Sequence, residues 1–143
     1  MRIAVIDGQG GGIGKLLVEK LRAAFGNDIC ILALGTNALA TALMLKAGAN
    51  EGASGENAIV YNAPRVEVIV GSIGIVCANA MLGELTPAMA EAIAGSSAAK
   101  VLIPLNRCNI LIAGIKEEPL PHCIDNAVEL VGRYIGHDLK NCR

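Results

Sequence analysis

The chain has 143 residues, a formal net charge of −1, 53% hydrophobic residues and only 2% aromatic ones. This is the size of one domain with an aliphatic core, and the thin scatter of lysine and arginine argues against a nucleic-acid surface. No uninterrupted apolar run in the sequence reaches the roughly 18–20 residues that a bilayer span needs.

Taken in chain order, Arg2 to Asp7 reads as a first strand, and the stretch from Gly12 to Phe25 as a first helix with Ile13, Leu17 and Leu21 on one face. Because the sequence enters a strand pattern at once, it shows no secretory leader, and a cytoplasmic location is expected. Asn27-Asp28 is a turn, and Ile29 to Leu34 is a continuous apolar run, the mark of a strand covered on both faces. Thr36 or Asn37 caps a second helix that runs to Ala47 and stops at Gly48. Gly52 to Gly55 reads as a glycine-rich loop, followed by a short helix from Glu56 to Asn62 that Pro64 ends.

Val66 to Val70 is a third strand, and Gly71-Ser72-Ile73-Gly74 leads into an apolar, helical stretch to Leu82. Thr86-Pro87 opens a helix that stops near Gly95. Val101 to Leu105 is a fourth strand, Asn106 to Asn109 a tight turn, and Ile110 to Ile115 a fifth strand. A connection that short fits only an antiparallel pair. The last helix starts near Pro121, and 137–143 is a polar tail. Strands alternating with helices predict a single α/β domain over residues 1–136. Its expected form is a three-layer Rossmann-like sandwich on a mostly parallel sheet of about five strands, with the fifth as an antiparallel edge. The surplus of apolar residues over charged ones points to a homo-oligomer, most simply a homodimer.

The stretch from Gly8 to Gly14 carries five glycines in seven residues, between the first strand and the first helix. A helix start presents unpaired N–H groups and the positive end of the helix dipole, and glycine lets a phosphate approach the backbone. Gly8, Gly12 and Gly14 fit a Gly-x-x-x-Gly-x-Gly pattern that resembles the loop of short-chain dehydrogenases/reductases. Neither Tyr61 nor Tyr134 has the lysine four residues on that such enzymes carry, and Leu34 to Asn37 offers no acid for an NAD ribose. Gly11 to Lys15 also resembles the glycine-rich loop of deviant Walker ATPases, but Leu16 stands where the magnesium-binding hydroxyl belongs. A tight turn alone would not require so many glycines.

In open α/β sheets the ligand crevice lies outside the carboxyl ends of the strands. The expected binding set is therefore Gly8, Gly10, Gly11, Gly12, Gly14 and Lys15 for phosphate, with Thr36, Asn37, Ser72 and Asn106 toward ribose or substrate. NAD(P) or another adenine nucleotide is the cofactor class such a loop admits. Asp7, Asn106 and Cys108 are the candidate reacting groups, but no acid–base pair assembles around them and no reaction is assigned. His122 at the last helix start reads as a surface or capping residue. The five cysteines, Cys30, Cys77, Cys108, Cys123 and Cys142, are odd in number and lack Cys-x-x-Cys spacing, so reduced thiols and no metal site are expected.

Several blocks together resemble an uncharacterised family of small Rossmann-like bacterial proteins of clostridial type. They are Val5 to Lys15, Ala33 to Thr41, Gly55 to Val60, Gly74 to Val76 and Ile103 to Ile110. The resemblance implies a free-standing domain and supplies no activity. The expected function is binding of a nucleotide or dinucleotide through its phosphate. The alternative is a non-catalytic sensor or accessory subunit that acts through an oligomeric or partner interface.

Overall fold

The computed structural model describes residues 1–105 and 109–141, with side chains as far as Gly136. Five strands, β1 (Arg2–Asp7), β2 (Cys30–Gly35), β3 (Glu51–Ser54), β4 (Val68–Ser72) and β5 (Ala99–Ile103), form one sheet in the order β3-β2-β1-β4-β5. Every pairing is parallel, and in the centre Val5 stands between Ala33 and Val70. Parallel strands need helical crossovers, which here are α1 (Gly12–Phe25), α2 (Ala38–Ala47), α3 (Glu56–Asn62) and α4 (Pro87–Gly95), with α5 (Leu120–Asn141) following β5.

Alternation along the strands divides the core in two. Ile3 and Val5 face a cluster with Leu17, Val18 and Leu21 of α1, Met44 of α2, and Ile124 and Val131 of α5. Ala4 and Ile6 face the opposite cluster with Ile59 of α3 and with Met89, Ala90 and Ile93 of α4. Helices thus cover both faces, giving the expected Rossmann-like three-layer sandwich. Each fully buried side chain such as Leu17 or Ile93 contributes roughly 1.5–3 kcal/mol relative to exposure.

The expected antiparallel edge is not supported. Residues 110–115 pair with no strand among the described residues, and Leu111 is 85% exposed. The edge beyond β2 is instead β3, within the stretch read as a glycine loop. Gly52 is needed there because a Cβ would come within 2.8 Å of Thr41 Cγ2 on α2. The buried Thr41 hydroxyl accepts from the Gly35 amide at 3.1 Å and lies 2.7 Å from Ser54 Oγ, pinning the ends of β2 and β3 together.

The segment after β4 also departs from expectation. A 3-10 turn covers Ile73–Val76, and the next α-helix is α4 at Pro87. Asn79, Met81 and Leu82 adopt left-handed φ values of 64°, 59° and 56°, which an α-helix cannot contain. At the C-terminus α5 continues to Asn141, into the segment read as a tail; Cys142 and Arg143 lie outside the described residues.

Candidate functional site

β1 and β4 are neighbours, but the chain leaves β1 toward β2 on one side and reaches β4 and β5 on the other. The strand order therefore reverses between β1 and β4, the place where open α/β sheets bind ligands. A cleft of about 650 Å³ opens there, floored by the turn from Asp7 to Ile13 and by Ser72, and walled by Met81, Leu82, Leu105 and Leu120.

The turn is built by backbone bonds. The Gly11 amide donates to Gly8 O at 3.0 Å, and Gly11 takes a left-handed φ of 73° as the N-cap of α1. No side chain caps this helix at Gly11. Asp7 braces the turn from beneath: its Oδ1 accepts from the Gly8 amide at 2.8 Å and its Oδ2 from the Gly14 amide at 2.6 Å. The amides of Gly10, Gly12 and Ile13 have no protein acceptor among the described residues.

The glycines fall into two kinds. A Cβ at Gly8 would come within 2.4 Å of Thr36 Oγ1, and one at Gly14 within 2.8 Å of Asp7 Cβ. Internal packing requires those two, and Gly11 as well, where a Cβ would stand 2.8 Å from Ala40 Cα. At Gly10 and Gly12 a Cβ would meet no described residue within 4 Å, and neither has a left-handed φ. Among the described residues nothing requires glycine at those positions, and both lie in the floor of the cleft.

Ser72 ends β4 in the same floor. Only 8% of the residue's surface is exposed; its hydroxyl makes no hydrogen bond among the described residues, and it lines the cleft. Lys15 points elsewhere: half exposed, it lies 4.0 Å from Glu19 and does not line the cleft. Asp7 is the one titratable side chain in the described lining.

Thr36 and Asn37 meet a residue that sequence reasoning missed. Glu84 Oε1 accepts from Thr36 Oγ1 at 2.7 Å, from Asn37 Nδ2 at 2.7 Å and from the Gln9 amide at 3.1 Å. Asn37 also caps α2 through the Ala40 amide and donates to Gln9 O at 3.0 Å. The bonds from Asn37 and then Thr36 hold the Glu84 carboxyl below the ordinary carboxylate range; partial burial opposes them, and the Gln9 amide adds the smallest contribution. One sequence signal could have marked this residue, since Glu84 is the sole charged residue between Glu67 and Glu91.

The structure thus brings Gly8, Gly10, Gly11, Gly12 and Ser72 to one cleft. It buries Gly14 behind that cleft and gathers Thr36 and Asn37 on Glu84. Asn106 and Cys108, with Arg107, lie outside the described residues. His122 is exposed in the first turn of α5. Among the described residues no group of three or more His, Cys, Asp or Glu could hold a metal, and no helix is long and apolar enough to cross a membrane.

The chain belongs to the family described as Domain of unknown function (DUF3842), whose model matches residues 2–136. This bears out the resemblance to an uncharacterised family. No curated protein and no solved structure matches the chain.

Proposed function

We propose that this chain binds a nucleotide or another phosphate-bearing small molecule in the cleft between β1 and β4. The phosphate rests on the amides of Gly10, Gly12 and Ile13, at the positive end of α1. Ser72 donates its hydroxyl from the other side, and the organic part of the ligand packs on Leu82, Leu105 and Leu120. The observation that carries this reading is the open space that the described residues leave above Gly10 and Gly12. Two residues without side chains, where packing demands none, leave room for a group to reach the backbone. Ser72 is a second support: it ends β4 in the floor of the same cleft, where its hydroxyl can donate to a bound anion.

Native mass spectrometry of the protein purified without dialysis tests this reading. A retained phosphate-bearing mass, absent from Gly12→Asp protein, is the expected result. An empty protein that takes up none of a panel of nucleotides and sugar phosphates would contradict it.

A second reading within the same site has its own support. With Asp7 braced against two amides, the described lining presents no acid–base pair, and Leu39 and Leu45 on α2 are 59% and 40% exposed. Both features favour a ligand sensor that signals through an interface. Sedimentation that changes with bound ligand, without turnover, separates it from an enzyme.

A further inference from the structure

In a dinucleotide-binding Rossmann site the pyrophosphate sits on the first helix and an acid at the end of the second strand holds the adenosine ribose. In this chain the second of those places is filled from within. β2 ends at Gly35, and Thr36 and Asn37 follow with no acid of their own. Glu84 comes to them from the segment after β4, and one carboxylate oxygen takes donors from Thr36, Asn37 and Gln9. Met81 of the same segment packs over Gly8, its sulfur 2.6 Å from where a Cβ would stand. The path from the glycine turn to the end of β2 is therefore crossed by Met81 and closed by Glu84.

We infer that residues 77–85 are a built-in occupant of the adenosine half-site, so that the cleft accepts a single phosphate-bearing unit lying toward β4 and rejects a dinucleotide. The inference rests on the proposed phosphate site at Gly10, Gly12 and Ile13. A neutral ribose would have to displace a carboxylate that satisfies three donors, and a 2′-phosphate would meet its negative charge. The segment is tied down on itself as well. The Asn79 amide donates to Leu85 O at 2.8 Å and the Leu85 amide to Ala80 O at 3.1 Å, holding Met81 and Leu82 in left-handed conformations that non-glycine residues rarely adopt. What remains open runs from the glycine turn to Leu82, Leu105 and Leu120, an apolar wall suited to an uncharged organic group.

Calorimetric titration with inorganic pyrophosphate and with NAD+, alongside amide NMR of the same samples, tests this on the full chain and on Glu84→Ala. Pyrophosphate should shift the Gly12 and Ile13 amides in both proteins with similar affinity. NAD+ should bind Glu84→Ala roughly tenfold or more tightly than wild type, the scale of one lost charge-assisted contact, and move the Thr36 and Asn37 amides only in the variant. Equal NAD+ affinity in the two proteins, or Thr36 and Asn37 unmoved in the variant, overturns the inference while pyrophosphate binding keeps the phosphate reading. If neither probe binds either protein, both readings fall. Should Glu84→Ala not fold, Glu84→Gln keeps the side-chain volume and is expected to show a smaller gain for NAD+; no gain there overturns the inference.

Discussion

The buried carboxylate of Asp7 accepts the amide of Gly14, seven residues later, at 2.6 Å. The same side chain holds the Gly8 amide at 2.8 Å, so one residue fixes both ends of the glycine turn. With the Gln9 and Gly11 amides engaged by Glu84 and Gly8 O, the amides of Gly10, Gly12 and Ile13 remain as donors for an anion. Asp7→Ala should therefore unpair two amides at once. We expect a loss of about 2–3 kcal/mol in urea unfolding, with Asp7→Asn losing less because it keeps one acceptor. An unchanged midpoint for Asp7→Ala would remove the brace from the account.

The two kinds of glycine predict opposite behaviour. Gly14→Ala drives a Cβ to 2.7 Å from Met44 Sδ and 2.8 Å from Asp7 Cβ. It should destabilise the fold by about 1–3 kcal/mol. Gly12→Asp has open space and adds an acid to the first turn of α1, where it complements the helix dipole. Its melting temperature should stay level or rise, while pyrophosphate binding falls roughly a hundredfold through charge repulsion. Thermal melts and calorimetry on the two variants check both halves of the contrast.

Ser72→Ala removes a hydroxyl that lines the cleft and makes no hydrogen bond among the described residues. Stability should change by less than about 0.5 kcal/mol, because no internal bond is lost. Affinity for pyrophosphate should fall about tenfold. A marked loss of stability with unaltered affinity would show that the hydroxyl serves the fold instead.

Much of the scaffold was legible from the sequence, and the reason is local. The change from a continuous apolar strand to a helical period across Gly8–Gly14 marks β1 and α1, and Asn37 and Thr86 stand where their side chains cap α2 and α4. The failures are long-range. Glu51–Ser54 has no strand pattern, since it is an exposed edge whose register is set by Leu32–Gly35 and whose glycine admits Thr41. Ile110–Ile115 has a strand's composition but no strand to pair with among the described residues. At the candidate site, the glycine turn and Ser72 could be placed from strand ends alone. Glu84 could not, because it lies 75 residues from Gln9 in sequence and reaches it only through the left-handed turn at Met81 and Leu82.

Glu84 carries the pH dependence of the closed segment. Its carboxyl is held below the ordinary range in the folded chain, so the folded state takes up this proton less readily than the unfolded one. Its stabilisation is complete above the ordinary carboxylate range and disappears as pH falls through the lowered value. Glu84→Gln should thus be less stable than wild type at pH 7, by about 1 kcal/mol after solvent screening, and the gap should close in acid. A gap that stays constant from pH 7 to acid would contradict the assignment of those three bonds to a charged carboxylate.

The most direct test of the central claim is an amide NMR titration of the full chain with inorganic pyrophosphate. Saturable shifts centred on Gly10, Gly12, Ile13 and Ser72 are expected, and these should disappear in Gly12→Asp. Saturable binding that moves amides elsewhere, or no binding at all, would contradict it.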